Sequence, residues 1–207
     1  MQKNNTKPDV FPLSKIKSIQ GTRRLVREKV LQILAAHYVS KVDINELFEH
    51  IFFRDFNIDQ DNTVEENNNE NSNKNSEPQK LLTKDEISEM MADTKIDWRN
   101  TDIEFGKQLL NECERRFDFV TSIIKNVSEN WEFDRINITD KTIMILAASE
   151  MLGFPDIPIS ATINEAIELT KKYSTDKSYI FVNALVEKMK RYLIAENLIR
   201  KSERGSR

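Results

Sequence analysis

Apolar residues recur every three or four positions along most of this chain, which is the spacing of one face of an α-helix. The first such segment runs from about Thr22 to Ser40, where Thr22 is placed to act as the N-cap. A second begins after Asp43, with Glu46 three residues later in the arrangement of a capping box. Its inward positions are Ile44, Leu47, Phe48, Ile51 and Phe52. The pattern predicts two consecutive amphipathic helices.

The rest of the chain predicts further helices of the same kind. They cover about residues 83–91, 102–127, 139–151, 162–173 and 176–193. Pro155 and Pro158 end the third of these, because proline cannot continue a helix. No segment alternates at the period of two that marks a half-buried strand. The predicted fold class is therefore all-α, a compact helical bundle.

Three segments break the helical pattern. Residues 1–20 contain Pro8 and Pro12 and show no apolar period, which predicts a flexible basic arm. Residues 57–80 hold eight asparagines and only two aliphatic side chains, too few to offset the entropy of ordering. We expect a disordered acidic insertion there, within one helical domain at 21–200, and a polar tail at 201–207.

The net charge of −3 conceals an uneven distribution. Residues 1–40 carry eight basic and two acidic side chains, whereas residues 57–80 carry two basic and six acidic ones. The basic N-terminal region keeps nucleic acid among the candidate partners. Without a long apolar run or a signal-peptide core, and with Cys113 as the single cysteine, we expect a cytoplasmic protein that contacts no membrane.

Arg23, Arg24 and Arg27 cluster at the start of the first predicted helix. Arg23 and Arg27 are four residues apart and share a face. Cations at a helix N-terminus oppose the macrodipole, so these charges do not serve the helix itself. The cluster predicts an external anionic partner such as RNA, and the alternative is a solvated basic face.

Motifs that carry catalysis are absent from the sequence. It has no phosphate loop, no Gly-x-Ser-x-Gly and no Cys-x-x-Cys, and four glycines in total. Its two histidines, His37 and His50, have no cysteine or carboxylate at metal-ligand spacing. We expect neither an enzyme nor a catalytic residue, a bound metal or a cofactor.

Several segments together resemble the NusB transcription antitermination family of bacteria. They are residues 130–136, 140–143, 155–158, 163–173 and 181–183, which read NWEFDRI, DKTI, PDIP, INEAIELTKKY and FVN. Residues 23–28, RRLVRE, and Gln32 resemble the arginine-rich helix of the same family, in the same order. Each piece alone is weak, and the combination is fairly specific.

The resemblance implies an all-helical fold of two small helical subdomains. It implies binding to boxA-type single-stranded RNA in nascent ribosomal RNA leaders, together with NusE, a small-subunit ribosomal protein. It also implies a larger complex with NusA, NusG and RNA polymerase that keeps transcription of rRNA operons processive. The implied role is transcription regulation without catalysis.

The resemblance also assigns candidate residues. Arg23, Arg24 and Arg27 would contact phosphates, since guanidinium forks match phosphate geometry. Gln32, Tyr173 and Phe181 match family positions near the RNA surface; their alternative roles are a polar-face residue, a helix-end packer and a core residue respectively. Lys177 would add phosphate attraction, and Asp140 lies where the family meets NusE.

The chain departs from the family at three places. Ala35 stands where the family usually has a tyrosine, and Tyr38 follows one turn later. Lys177 stands where an acid is common. The insertion at 57–80 is unusual, and it would shield the arginines when RNA is absent.

Two other functions compete with RNA-dependent antitermination. The chain could be a helical protein-interaction adaptor with weakened RNA binding, which Ala35 favours. It could also be an RNA-binding fragment of an rRNA cytosine methyltransferase, whose N-terminal part is NusB-like. That enzyme would need an attached cofactor-binding domain.

Overall fold

The computed structural model describes residues 18–53, 95–128 and 133–199 of the chain. The predicted insertion at 57–80, the helix at 83–91 and the tail at 201–207 lie outside these residues. Of the predicted basic arm, 1–20, only the last three residues are described. The described residues fall into two units, which we take in turn.

The first unit contains a pair of short parallel strands, β1 (Ser18–Gln20) and β2 (Lys95–Asp97). Ser18 lies opposite Lys95, and Gln20 opposite Asp97. The Ser18 hydroxyl donates to Oδ2 of Asp97 at 2.6 Å across the pair. No strand was predicted here, because three residues are too few to show the alternation that marks one.

The second unit is helical, which confirms the predicted class. Its helices are α1 (Arg23–Ser40), α2 (Ile44–Phe52), α3 (Asn100–Arg115), α4 (Phe117–Val127), α5 (Ile138–Gly153), α6 (Ile159–Tyr173) and α7 (Ser178–Ala195). A short 3₁₀ turn, Phe133–Arg135, precedes α5. The segment 102–127, predicted as one helix, is two helices that meet at Arg116.

Helix α5 forms the centre of this unit. Every residue from Thr142 to Met151 is buried, so this helix is enclosed on all sides, and most of its buried side chains are apolar. It packs against α1, α3, α4, α6 and α7. Burying one large aliphatic side chain contributes about 1.5–3 kcal/mol, so the many aliphatic contacts of α5 dominate the stability of the unit.

Polar caps fix where the helices begin. Thr22 caps α1 by accepting from the Leu25 amide at 3.2 Å, and Asp43 caps α2, as predicted. Asn137 caps α5 in place of the predicted Thr139. Helix α6 begins three residues before the predicted Thr162, because Pro158 presets the dihedral angle at its start.

Candidate nucleic-acid interface

The first turn of α1 carries two exposed arginines, Arg23 and Arg24, and no acidic residue. Thr22 ends the extended chain and starts the helix there, so both side chains leave from a fixed backbone. The guanidinium carbon of Arg23 lies 4.8 Å from the ring centroid of Phe105, which is buried in α3. A cation held over an aromatic face keeps its charge and its hydrogen-bond donors available to a ligand.

Arg24 forms a forked ion pair with Glu165 of α6. Its Nε lies 3.1 Å from Oε2 and 3.2 Å from Oε1, and its Nη2 lies 2.9 Å from Oε1. These hydrogen bonds raise the pKa of the Arg24 guanidinium further above its ordinary value. The Arg24 side chain is still 61% exposed, whereas that of Glu165 is 17% exposed. The pair therefore holds one edge of an exposed guanidinium.

Arg27 has a different environment from its two neighbours. Its side chain is 7% exposed, and Nε lies 2.6 Å from Oε2 of Glu150, which is fully buried in α5. The Thr162 hydroxyl donates to Oε1 of the same carboxylate at 2.6 Å. The four-residue spacing predicts that Arg27 shares an outward face with Arg23, and this prediction is wrong because Arg27 is buried. Its charge is neutralised inside the fold, because the apolar stripe of α1 extends as far as Arg27.

Gln32 and Tyr173, predicted from separate helices, are joined in one hydrogen-bonded cluster. The Gln32 amide nitrogen lies 3.2 Å from the Tyr173 hydroxyl, which donates to the carboxylate of Glu28. Lys172 donates to the same carboxylate at 2.7 Å. Burial, and then the bond to Glu28, raise the pKa of Tyr173. The ring is thus fixed in orientation where α6 ends against α1.

Lys177 and Phe181 lie at the start of α7. Lys177 is the N-cap residue of that helix and is exposed. Phe181 is half-buried against the core. Tyr179 between them is 36% exposed, and Nζ of Lys171 lies 5.8 Å from its ring centroid. An exposed aromatic ring beside lysines is suited to stacking on unpaired bases. Tyr179 was not among the candidate residues, because its position in the helical pattern did not indicate that it is exposed.

Asp140, the candidate partner-binding residue, lies in the first turn of α5. It is 4% exposed, and its Oδ1 has no hydrogen-bond partner among residues 18–53, 95–128 and 133–199. A buried carboxylate oxygen without a donor is costly unless an external group supplies one. The position at a helix N-terminus offsets part of this cost.

The structure thus brings three of the predicted residues, Arg24, Gln32 and Tyr173, to the junction of α1 and α6. Arg23 is exposed beside Arg24 but lies over Phe105 of α3. We call the set of Arg23, Arg24, Gln32, Lys171, Lys172 and Tyr173 the α1–α6 surface. Lys177 and Phe181 belong to α7, which packs against α6. Arg27 lies beneath the surface, and Asp140 lies on α5.

Among residues 18–53, 95–128 and 133–199, no group of three or more His, Cys, Asp and Glu side chains is arranged to hold a metal ion. No helix in those ranges is long and apolar enough to cross a membrane.

Comparison with known proteins decides the family. The model of the NusB family matches residues 67–191, which is more than half of the chain. The chain belongs to the NusB family. The match includes Asp140, Tyr173, Lys177 and Phe181, whereas the arginines of α1 lie before it.

Curated NusB proteins align with the chain over part of its length. The transcription antitermination protein NusB of Natranaerobius thermophilus is 34% identical over 49% of this chain and 73% of its own length. That of Chloroherpeton thalassium is 38% identical over 43% of this chain and 47% of its own length. The chain therefore matches less than two thirds of the latter relative.

Solved structures share the fold over nearly their whole length. NusB of T. maritima superposes with a TM-score of 0.58 at 21% identity, covering 84% of this chain and 93% of that one. A structure of the antitermination factors NusB and NusE in complex with dsRNA gives a TM-score of 0.54 at 18% identity, covering 82% of this chain and 96% of the matched one. At this identity the likeness shows the fold.

Tyr38 lies one turn after Ala35 and is partly buried against the core. The Tyr38 hydroxyl is buried and has no hydrogen-bond partner in the part of the chain that the structure describes, and the ring centroids of Tyr38 and Phe117 lie 5.1 Å apart. Tyr38 therefore packs inside the fold, because one further turn along α1 brings the side chain against the start of α4.

Proposed function

We propose that this protein is a transcription antitermination factor that binds boxA-type single-stranded RNA in nascent ribosomal RNA leaders together with NusE. It acts without catalysis, by holding the RNA within a complex that also contains NusA, NusG and RNA polymerase. Membership of the NusB family supports the role. The structural neighbour that contains NusB, NusE and dsRNA supports RNA and NusE as the partners.

One observation carries the RNA-binding part of the proposal: Arg23 and Arg24 are exposed at the start of α1, where cations do not stabilise a helix. Lys172, which is 58% exposed, extends the positive charge along α6. Guanidinium groups match phosphate in charge and in fork geometry. Their binding releases counterions, so the RNA affinity falls as the salt concentration rises.

Arg27 takes a supporting part in this proposal. With its guanidinium on Glu150, it fixes α1 against α5 and so sets where Arg23 and Arg24 stand. We infer that Gln32 and the edge of Tyr173 meet base edges beside the phosphate contacts, and that Lys177 and Phe181 continue the site onto α7. We assign Asp140 to NusE binding, because a donor from NusE would satisfy the carboxylate oxygen that has no hydrogen-bond partner within the described residues.

The test is fluorescence anisotropy of a labelled boxA-like RNA and a scrambled RNA of equal length, with and without NusE. The variant is R23A/R24A, which removes two exposed charges and leaves the Arg27–Glu150 pair intact. The matched control is K107A/R115A, which removes the same charge from exposed positions on α3. We expect a preference for the boxA-like RNA that NusE strengthens, and a loss of affinity in R23A/R24A alone.

A second candidate function is a helical protein-interaction adaptor with weakened RNA binding. The burial of Tyr38 favours it, because no ring replaces the family tyrosine at Ala35. Equal affinity for the two RNAs, with and without NusE, would establish this function and reject antitermination through boxA.

A further inference from the structure

The guanidinium of Arg24 has two hydrogen-bonding edges, and the fold occupies one of them. Nε and Nη2 face the carboxylate of Glu165 at 2.9–3.2 Å. Within the described residues, Nη1 has no hydrogen bond, and the side chain is 61% exposed. The Nη1–Nη2 edge is therefore free for a second forked contact with an anion.

We propose that Glu165 is a positioning residue for RNA, which orients Arg24 so that its free edge meets a phosphate group. This inference rests on the proposed RNA-binding function and adds a residue to it. Glu165 lies in the middle of α6 and is 17% exposed, so its carboxylate is held by a packed helix. An arginine fixed at one edge loses less side-chain freedom when a ligand takes the other.

Removing Glu165 is expected to change the RNA affinity in the direction opposite to that expected from charge alone. A carboxylate near a phosphate repels it, so removing the charge of Glu165 would strengthen RNA binding if charge alone mattered. If Glu165 instead orients Arg24, its removal weakens RNA binding, because the arginine must then be ordered when the RNA binds.

Glu168 provides a matched control one turn along the same helix. Its charge acts on Arg24, but its hydrogen bond goes to Lys171 at 2.8 Å. It is half exposed and makes no hydrogen bond to Arg24 in the described residues. Removing its charge therefore reports the electrostatic effect without the positioning effect.

The experiment measures the affinity of the full chain with NusE for the labelled boxA-like RNA across a series of salt concentrations. The variants are E165Q, E165A, E168Q, R24A and R24A/E165A. We expect E165A to bind about fivefold more weakly or worse, with a salt slope smaller by about 1. E165Q retains the side-chain shape and one acceptor oxygen, so its RNA affinity should fall between that of the unsubstituted protein and that of E165A. E168Q should bind RNA as tightly as the unsubstituted protein or more tightly.

The double variant tests whether Glu165 acts through Arg24. We expect R24A/E165A to bind no more weakly than R24A, because the positioned group is already absent. An E165A variant that binds as tightly as the unsubstituted protein, or a further loss in R24A/E165A, would overturn the inference. Should E165A fold poorly by circular dichroism, E165Q against E168Q carries the same comparison. If the unsubstituted protein itself binds no RNA, the proposed function fails. If the unsubstituted protein binds RNA and only the effect of Glu165 is missing, the inference about Glu165 fails alone.

Discussion

The guanidinium of Arg27 lies on the carboxylate of Glu150, with Nε 2.6 Å from Oε2 and Nη2 3.1 Å from Oε1. Both side chains are buried, and Thr162 donates to the same carboxylate. One interior ion pair thus joins α1, α5 and α6 directly beneath the exposed Arg23 and Arg24. The rigidity of the α1–α6 surface depends on it.

Replacing Arg27 by alanine is expected to reduce the free energy of unfolding by about 3–5 kcal/mol, because Glu150 is left buried and unpaired. Urea denaturation followed by circular dichroism measures the change. The control is K171A, whose pair with Glu168 is half exposed and contributes about 0–1 kcal/mol. If R27A were no less stable than K171A, the pair would not hold the helices together.

Cys113 is fully buried between α3 and its neighbours, and burial raises the pKa of its thiol to about 12. The unfolded chain releases this proton at about pH 8.5, so the folded state binds more protons above that value. Stability from Cys113 is therefore fully present below about pH 8.5 and is lost as the pH rises toward 12.

We expect a thiol reagent to label Cys113 only at the rate at which the protein opens, even at about pH 9. Urea denaturation should show that the free energy of unfolding decreases between about pH 7 and about pH 9.5, and that the decrease is smaller in C113A. Rapid labelling of the native protein would show that the thiol is accessible.

Tyr173 combines a hydroxyl that binds Glu28 and Gln32 with a ring at the end of α6. The variant Y173F removes the hydroxyl alone. We expect it to lower the free energy of unfolding by about 1 kcal/mol and to leave RNA affinity within a factor of two, about the error of such a measurement. The variant Y173L, which also removes the ring, is expected to weaken RNA binding. Equal RNA affinity in Y173L and Y173F would remove the ring from the RNA site.

Lys177 occupies the N-cap position of α7 without a capping side-chain hydrogen bond, and it is exposed. The variant K177E is expected to weaken RNA binding and to reduce the salt slope by about 1, because one phosphate contact is lost. The control is K107E, the same charge reversal at an exposed position on α3. The role of Lys177 would be rejected if the two variants behaved alike.

Asp140 is buried, and one of its carboxylate oxygens lacks a hydrogen-bond partner within the described residues. The variant D140A is expected to weaken binding of NusE by at least about fivefold in isothermal titration calorimetry. It should change the free energy of unfolding by less than about 1 kcal/mol, because the lost interaction with the helix dipole is offset by removal of a buried oxygen that lacks a donor. The control is D118A, which removes an exposed first-turn acid of α4. Normal NusE binding by D140A would assign the residue to the fold alone.

The periodic spacing of apolar residues was sufficient to predict the fold class and most helices. Helix starts at Thr22 and Asp43 were predicted because a cap depends on residues within one turn. The break at Arg116 was not, since no proline or glycine marks it. Within the described residues, the strands β1 and β2 were also missed, because they are short and pair residues far apart in sequence.

The sequence is enough to predict that arginines cluster at the start of α1 and that the C-terminal half resembles NusB. Only the folded structure shows that Arg27 points inward to Glu150 and that Arg24 pairs with Glu165. The hydrogen bond between Gln32 and Tyr173 likewise depends on the folded structure. The partners in these contacts are more than 120 residues apart in the chain. Helical periodicity sets which residues share a face, but the packing of α1 against α5 and its hydrogen bonds to α6 set where that face is buried and which acids meet its cations.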